Sequence, residues 1–446
     1  MRTKRDLPIA VLGAGFTGLS AAHSLAKKGF KVLVFEKKGE AGGLSSCYRV
    51  NGYSIERFYH HLSGSDATTR GLMRELGLLS RLEWRKASTA YLLGKRAYKM
   101  DSVVEIGRFP GLGLLDKMRL GMTVLQSRFL DQDVEKLDKT SAEAWVKGSL
   151  GERAYENFFE PLLRSKYGEN AGKVSAAWLM GRIRFRSHRG LGGEGLGYPR
   201  NSYSEIISRL VLEAQRNGAE FRFGEEAAAI SGEPPELRIE TPEGEFRASA
   251  AISTLPPQAV VSLAKPGKNV AKLLESIRYQ GVLCMLLSLK RPLLKDGTYW
   301  LNIKSGDSPL GAVIEHTNFQ TPAGMKAAEH LLYVPLYVQN WQREAERKTD
   351  AEIAELMLGE LRKILPFSGS DVNWWRMARE KHAAPIYEVG YLEKLNSVPG
   401  SVRGIHLAGM MRSFPERSVE DSIRQGLQAA EKVSRGGEDG GAHGPA

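Results

Sequence analysis

Residues Ile9–Gly18 have the sequence IAVLGAGFTG, an apolar segment that leads directly into the pattern G-x-G-x-x-G. A helix-like segment, residues 19–28, follows it, and a second apolar segment, residues 31–35, ends at Glu36. Strand, glycines, helix, strand and acid in this order are the fingerprint of a dinucleotide-binding βαβ unit. A glycine-rich turn in some other α/β unit is the alternative, and the surrounding context disfavours it.

Each glycine of this pattern has a predicted task. Gly13 permits the tight turn, Gly15 lets a pyrophosphate approach the backbone, and Gly18 lets helix and strand pack closely. The free N–H groups and the positive dipole at the helix start then hold the phosphates. Glu36 is placed to accept hydrogen bonds from the ribose hydroxyls and disfavours a 2′-phosphate, so NADP fits this site poorly.

The segment after Glu36 indicates which dinucleotide binds. Residues 37–46 have the sequence KKGEAGGLSS, and the whole run Gly13–Ser46 resembles the FAD-binding N-terminus of the amine oxidase superfamily. That group includes monoamine oxidases, protoporphyrinogen oxidases and phytoene desaturases, with UDP-galactopyranose mutases as relatives. The resemblance implies FAD as cofactor and places the pair Gly42 and Gly43 near the pyrophosphate and flavin. Many relatives have Arg where this chain has Leu44.

The C-terminal part resembles the second FAD motif of the same superfamily. Residues 404–410 form a predicted strand ending at Gly409, and a helix is predicted over 419–433. The resemblance points the start of that helix toward the flavin, where its dipole would stabilise a reduced, anionic ring. Relatives commonly have an acid where this chain has Met410. They also usually have Val in place of Ala227, at the position where backbone atoms meet the adenine.

These two motifs together define the residues predicted to bind FAD. They are Gly13, Gly15, Phe16, Thr17, Gly18, Glu36, Lys37, Gly42, Gly43, Leu44, Ser45, Ala227, Gly409, Met410, Ser418, Val419 and Ser422.

The predicted fold class is α/β, with a discontinuous Rossmann-like FAD-binding domain, an inserted mixed substrate domain and a helical subdomain. The FAD domain is expected at 1–98, 199–258 and 399–433. A helical, substrate- or membrane-facing subdomain is expected at 99–198, and a substrate domain with a mixed sheet at 259–398. Residues 190–199 are glycine-rich and predict a flexible loop, and the tail 434–446 is expected to be disordered.

Catalytic candidates are few, because a flavin needs mainly position, dryness and electrostatic support from the protein. His60 and His61 are the best pair, since an imidazole titrates near neutral pH, and a structural hydrogen-bonded pair is the alternative. His316 is a further catalytic candidate, although packing at a strand end explains it as well.

Four other residues have open assignments. Arg412 and Arg417 could face the flavin or an anionic substrate, or lie in a solvated loop. Tyr387 and Tyr391 could stack on a substrate or pack in the core.

Composition fits a globular enzyme of several domains, at 446 residues with 42% hydrophobic and 26% charged residues. Two cysteines and no ligand cluster predict no disulfide framework and no metal. The net charge of +12 indicates a solvated basic surface or attraction to an anionic partner, and no nucleic-acid motif is present. The longest apolar run is too short to span a membrane. A cytoplasmic location is predicted, with possible peripheral membrane contact.

That contact would involve residues 109–129, which mix Leu, Met and Phe with Lys and Arg. They predict either an interfacial amphipathic helix or an ordinary helix packed by its apolar face.

Three functions remain open from the sequence. The first is an FAD-dependent oxidoreductase that oxidises or desaturates a sizeable, largely apolar small molecule of polyprenyl or tetrapyrrole type, by hydride transfer to flavin. The second is a non-redox flavoenzyme resembling UDP-galactopyranose mutase. The third is a flavin-bearing binding protein without turnover. The sequence leaves the electron acceptor and the oligomeric state open.

Overall fold

A computed structural model describes residues 7–129, 133–187, 194–304, 308–415 and 417–436. The strands of this part are β1 (Ile9–Leu12), β2 (Val32–Glu36), β3 (Cys47–Val50), β4 (Tyr53–Glu56), β5 (Leu82–Leu93), β6 (Arg96–Lys99), β7 (Glu194–Pro199), β8 (Ala219–Phe223), β9 (Ala229–Ser231), β10 (Leu237–Thr241), β11 (Gly244–Ala248), β12 (Ala250–Ser253), β13 (Tyr279–Leu289), β14 (Thr298–Lys304), β15 (Ala312–Glu315), β16 (His330–Val338), β17 (Val372–Pro385), β18 (Ser401–Val402) and β19 (Ile405–Leu407).

The α-helices of the same part are α1 (Phe16–Lys27), α2 (Ala67–Glu75), α3 (Val103–Arg108), α4 (Leu114–Phe129), α5 (Val134–Asp138), α6 (Ala142–Ser149), α7 (Glu152–Ala154), α8 (Glu160–Tyr167), α9 (Ala176–Ser187), α10 (Tyr203–Arg216), α11 (Pro257–Ala264), α12 (Lys268–Glu275), α13 (Asp350–Ile364), α14 (Tyr391–Ser397) and α15 (Val419–Gly436).

A six-stranded sheet has the order β18-β19-β12-β1-β2-β8, and β1 pairs in parallel with both β2 and β12. All residues of β1 and β2 are buried, which accounts for their unbroken apolar sequences. The strands of this sheet come from distant parts of the chain, as a discontinuous Rossmann-like unit requires. The predicted α/β class, with its mixed second sheet, is confirmed.

Helix α1 packs against α10 and α15 beside this sheet. The contact with α15 is close at Gly426, where an added Cβ would lie 2.2 Å from the carbonyl oxygen of Thr17. A glycine is therefore needed at this crossing point.

A second sheet of eight strands has the order β17-β13-β16-β15-β14-β5-β6, and β7 also pairs with β5. Its neighbouring strands are antiparallel except for β14 and β5. Strand β13 is buried over nearly its whole length and lies between β16 and β17. The structure also contains a three-stranded sheet, formed by β9, β10 and β11, and a two-stranded sheet, formed by β3 and β4.

The glycine-rich loop predicted over 190–199 is wrong for its second half, because residues 194–199 form strand β7 against β5. Leu196 and Tyr198 are buried there, and Gly197 lets the Trp84 ring approach closely. The predicted disordered tail is wrong at its start, since α15 continues to Gly436 with Ser434 bonded to Lys28. Residues 190–193 and 437–446 lie outside the described residues.

Helices α3 to α9 form a helical layer between β6 and β7 in the chain. Over the described ranges, the structure contains no helix with both the length and the apolarity needed to cross a bilayer.

Candidate active site

A cavity of about 930 Å³ is lined by residues from both large sheets and from the helical layer. The turn after β1 and the end of β2 contribute to one part of it, and β13, β14, β16 and β17 contribute to another. Of the residues predicted to bind FAD, all but Gly18 line this cavity.

The turn between β1 and α1 is built from closely packed glycines. Gly13 has a φ of +97°, and an added Cβ at Gly18 would lie 1.8 Å from the carbonyl oxygen of Gly13. Gly18 is therefore needed for the close packing of the turn, although it does not line the cavity. Gly43 approaches Gly15 so closely that its Cβ would lie 3.2 Å from the Cα of Gly15.

Because Gly15 and Gly43 have no side chains, their backbone atoms face the cavity directly at the start of helix α1. Among the residues that the structure describes, no side chain caps that helix. Its first N–H groups can therefore bind an anionic ligand, as a dinucleotide pyrophosphate requires.

Glu36 ends β2 and is buried at the edge of the cavity. Its Oε2 accepts a hydrogen bond from the Ala14 N–H at 2.8 Å, and its Oε1 accepts one from the Lys38 N–H at 3.0 Å. These bonds fix the carboxylate while each oxygen keeps acceptor capacity for a ribose hydroxyl. Lys37 and Ala227 line the same part of the cavity.

The start of helix α15 faces the cavity through Ser418, Val419 and Ser422. The Ser418 Oγ accepts a hydrogen bond from the Asp421 N–H at 3.0 Å and caps the helix. Gly409 and Met410 lie in the same lining. Met410 has no carboxylate to offer a ribityl chain, so hydrogen bonds there must come from backbone groups or from other side chains.

Aromatic rings form one wall of the cavity. The rings of Tyr59 and Trp300 meet edge to face with centroids 4.9 Å apart, and the hydroxyls of Tyr59 and Tyr337 lie 3.5 Å apart. All three residues line the cavity. Such a wall suits a flat or apolar substrate.

Besides Lys37 and Lys38, which follow β2, three further cationic residues line the cavity: Lys166, Arg182 and Arg417. The Nζ of Lys166 lies 4.6 Å from the centroid of the Trp178 ring and 5.9 Å from that of Tyr337. The cavity thus places aromatic ring surface next to positively charged side chains. The sequence had singled out only Arg417 of these three.

His60 is held in a defined orientation at the cavity. Its Nδ1 donates a hydrogen bond to the Phe58 carbonyl oxygen at 2.6 Å, which leaves Nε2 to accept one from the Ser45 hydroxyl at 3.2 Å. Burial lowers the pKa of His60 to about 4. This imidazole is therefore neutral near pH 7 and is suited to hydrogen bonding more than to storing a proton.

His61 also lines the cavity, with its Nδ1 3.2 Å from the Tyr299 hydroxyl. His316 does not reach it. That residue is fully buried among the rings of Tyr198, Phe319 and Tyr333. Burial lowers its pKa to about 3.

The structure places Arg417 in the cavity lining and Arg412 outside it. Arg412 lies outside the cavity lining and donates hydrogen bonds to the carbonyl oxygens of Val398 and Pro399. Tyr387 and Tyr391 are buried and pack against each other and Phe414, so they too lie away from the cavity.

The sequence matches the model of the flavin-containing amine oxidoreductase family over residues 16–434. The chain belongs to this family. It is an FAD-dependent oxidoreductase, and the glycine cradle, Glu36 and the start of α15 fit that cofactor.

A coproporphyrinogen III oxidase of Staphylococcus aureus is 23% identical over 95% of this chain and 98% of its own length. A cyclohexylamine oxidase from Brevibacterium oxydans superposes with a TM-score of 0.76 at 14% identity, covering 97% of this chain and 100% of that one. A reduced UDP-galactopyranose mutase superposes with a TM-score of 0.76 at 18% identity, covering 96% of each chain. At these identities the structural matches show a shared fold.

Proposed function

We propose that this flavoenzyme oxidises a sizeable ring substrate that carries carboxylates, of the porphyrinogen class. The observation that carries the proposal is the cavity in which the aromatic wall meets Lys166, Arg182 and Arg417. The resemblance over nearly full length to a coproporphyrinogen III oxidase supports the same class.

The two parts of the cavity favour this substrate over a hydrocarbon. Tyr59, Trp300 and Tyr337 offer flat apolar surface, on which pyrrole rings can stack. A polyprenyl chain would use that surface but would make no polar contact with the three cations. Carboxylates on the rim of a ring substrate would pair with them.

FAD, when bound, accepts a hydride from the substrate carbon. The protein's part is to orient the ring on the aromatic wall, to exclude water and to provide for the proton that leaves the substrate nitrogen. His60 is kept neutral by burial, is oriented by Phe58 and Ser45, and acts as a hydrogen-bond partner. We propose that His61 accepts this proton, because His61 lines the same cavity as the aromatic wall.

A sugar-nucleotide rearrangement is the second candidate. The same three cations could hold a diphosphate, and a UDP-galactopyranose mutase shares the fold. It ranks lower because the aromatic wall is larger than a sugar needs. The peripheral membrane contact, the cytoplasmic location and the domain boundaries predicted from the sequence remain predictions.

The test is anaerobic flavin absorbance with coproporphyrinogen, protoporphyrinogen, a carotenoid precursor, amines, NAD(P)H and UDP-sugars. Bleaching by a porphyrinogen is the expected result. Bleaching only by NAD(P)H, followed by conversion of a UDP-sugar, would instead establish the second candidate. Bleaching by the carotenoid precursor alone would contradict the assigned substrate class.

Variants of the cations sharpen this test. Lys166→Ala and Arg182→Ala should each raise KM for coproporphyrinogen by roughly tenfold or more, since a charged hydrogen bond is lost. The effect should be smaller for protoporphyrinogen, which has fewer carboxylates. Lys326→Ala is the matched control, because Lys326 is exposed and outside the cavity. Equal losses for both substrates would argue against carboxylate recognition.

A further inference from the structure

Helix α4 carries a row of exposed large apolar side chains on the side opposite the face that it packs against the protein. Six of its large apolar side chains are exposed by 56% to 77%, whereas Asp116, Thr123 and Ser127 are buried and Leu120 and Val124 pack, partly buried, against the core. The buried polar groups are held locally: the Asp116 Oδ2 accepts from the Gly113 N–H, and the Ser127 hydroxyl donates to the Val124 carbonyl. An ordinary surface helix exposes mainly charged and polar residues on the side away from the core.

The exposed apolar residues form one continuous face. At 3.6 residues per turn they fall within an arc of about 100°. They are Leu114, Leu115, Met118, Met122, Leu125 and Phe129. Val103 and Val104 of α3, the helix that packs on α4, are also exposed. We call the six exposed apolar residues of α4 the α4 face. A contiguous apolar patch of this kind marks an interaction surface.

Positive charge flanks this face on both sides. In the helical projection Lys117 and Arg128 lie just beyond one edge of the apolar arc, and Arg119 lies beyond the other. Arg119 and Arg128 are exposed, and the one acid of α4, Asp116, is buried beneath the helix. The surroundings of the apolar arc on α4 are therefore cationic.

We propose that the α4 face docks this protein onto an anionic lipid bilayer. Apolar side chains would enter the acyl boundary while the flanking Lys and Arg reach the headgroups, as in interfacial amphipathic helices. A second copy of this chain fits less well. A two-fold contact places a patch against itself, so the cationic flanks of one copy would lie against the cationic flanks of the other.

The docking surface is joined to the cavity by packing. Helix α4 packs against α9, and α9 supplies Trp178 and Arg182 to the cavity lining. The bilayer would therefore lie against the helical layer that covers the substrate end. Docking itself is independent of the proposed substrate, and it can be tested without any turnover.

The experiment is flotation of the full-length, FAD-loaded protein with phosphatidylcholine vesicles, with and without phosphatidylglycerol. The wild-type protein should bind vesicles that contain phosphatidylglycerol, and added salt should weaken that binding. The double variant Leu115→Glu with Met122→Glu should reduce the bound fraction at least about tenfold, because it places charge on the apolar face. Arg119→Ala with Arg128→Ala should weaken binding only to the anionic vesicles.

Leu356→Glu is the matched control, since Leu356 is 55% exposed on the separate helix α13. It should bind vesicles like the wild type. Flavin absorbance and circular dichroism report whether each variant is folded. No binding of the wild type to anionic vesicles, or undiminished binding of the double-Glu variant, would overturn the proposal. A dimer seen by light scattering that the double-Glu variant abolishes, without vesicle binding, would assign the face to a second copy.

Discussion

At the scale of single residues, burial sets the chemistry of the histidines in different ways. His60 lies at the cavity, and both of its nitrogens are used by Phe58 and Ser45. His316 is surrounded by aromatic rings, and neither ring nitrogen has a hydrogen-bond partner within the described residues. Because burial disfavours the protonated form of His316, the free energy of unfolding should depend on pH.

We expect His316→Phe to flatten part of the acid dependence of unfolding. Burial lowers the pKa of His316 to about 3, whereas an unfolded histidine titrates near 6.5. Below pH 6.5 the unfolded chain thus binds a proton that the folded chain does not, so acid destabilises the wild type. The free energy of unfolding of the wild type should fall relative to that of the variant by up to about 1.4 kcal/mol per pH unit.

Urea unfolding of both proteins at pH 7 and pH 5 measures this difference. Burial raises the pKa values of Glu56 and Glu315 to about 7, which favours folding as the pH falls through that value. Both glutamates are present in both proteins, so their contribution cancels in the comparison. Parallel pH profiles for the two proteins would show that His316 does not titrate as its burial implies.

At the scale of elements, one helix crossing connects two parts of the cavity that the sequence predicts to bind FAD. The start of α1 and the start of α15 both face the cavity, and the two helices pack together at Gly426. An added Cβ at Gly426 would lie 2.2 Å from the Thr17 carbonyl oxygen and 3.0 Å from the Ser20 Cβ. The close contact of α1 and α15 at Gly426 therefore sets the distance between the starts of these two helices at the cavity.

Gly426→Ala should separate α1 from α15, lower the free energy of unfolding by about 1–3 kcal/mol and weaken FAD binding. Gly359→Ala is the matched control, because Gly359 lies in helix α13 with no atom within 4 Å of the added Cβ. That change should stabilise the protein by about 0.5–1 kcal/mol, as alanine favours a helix. Thermal unfolding and flavin fluorescence titration distinguish the two, and equal effects would refute the crossing argument.

Elements with a local signal could be predicted from the sequence. The strand over 31–35 and the helices over 19–28 and 419–433 are confirmed, because the glycines, the apolar runs and the periodicity that predict them lie within or beside each segment. Strand β7 was missed because its stability comes from pairing with β5, more than 100 positions away in the chain. Glycines that permit a close approach look like loop residues when the partner strand is unknown.

At the scale of the whole molecule, the cavity depends on both large sheets. The turn after β1 and the end of β2 supply the part predicted to bind the dinucleotide, and β14, β16 and the segment after β4 supply the aromatic wall. Motifs predicted the first part because a fingerprint is local in sequence. Lys166, Trp178 and Arg182 could not be assigned, since only the packing of α8 and α9 brings them to the cavity.

This shared lining predicts that FAD stabilises both sheets together. Stabilisation by a ligand that binds only the folded state grows with its free concentration, by about 2.7 kcal/mol at a hundredfold excess over Kd. Removing FAD should lower the unfolding temperature and increase amide hydrogen exchange in β1 and β2 and also in β13 and β16. The second effect is expected because Val282, Pro335 and Tyr337 of the larger sheet line the same cavity as Gly15. If FAD removal changes exchange only in the six-stranded sheet, that sheet opens on its own and the larger one does not depend on the cofactor.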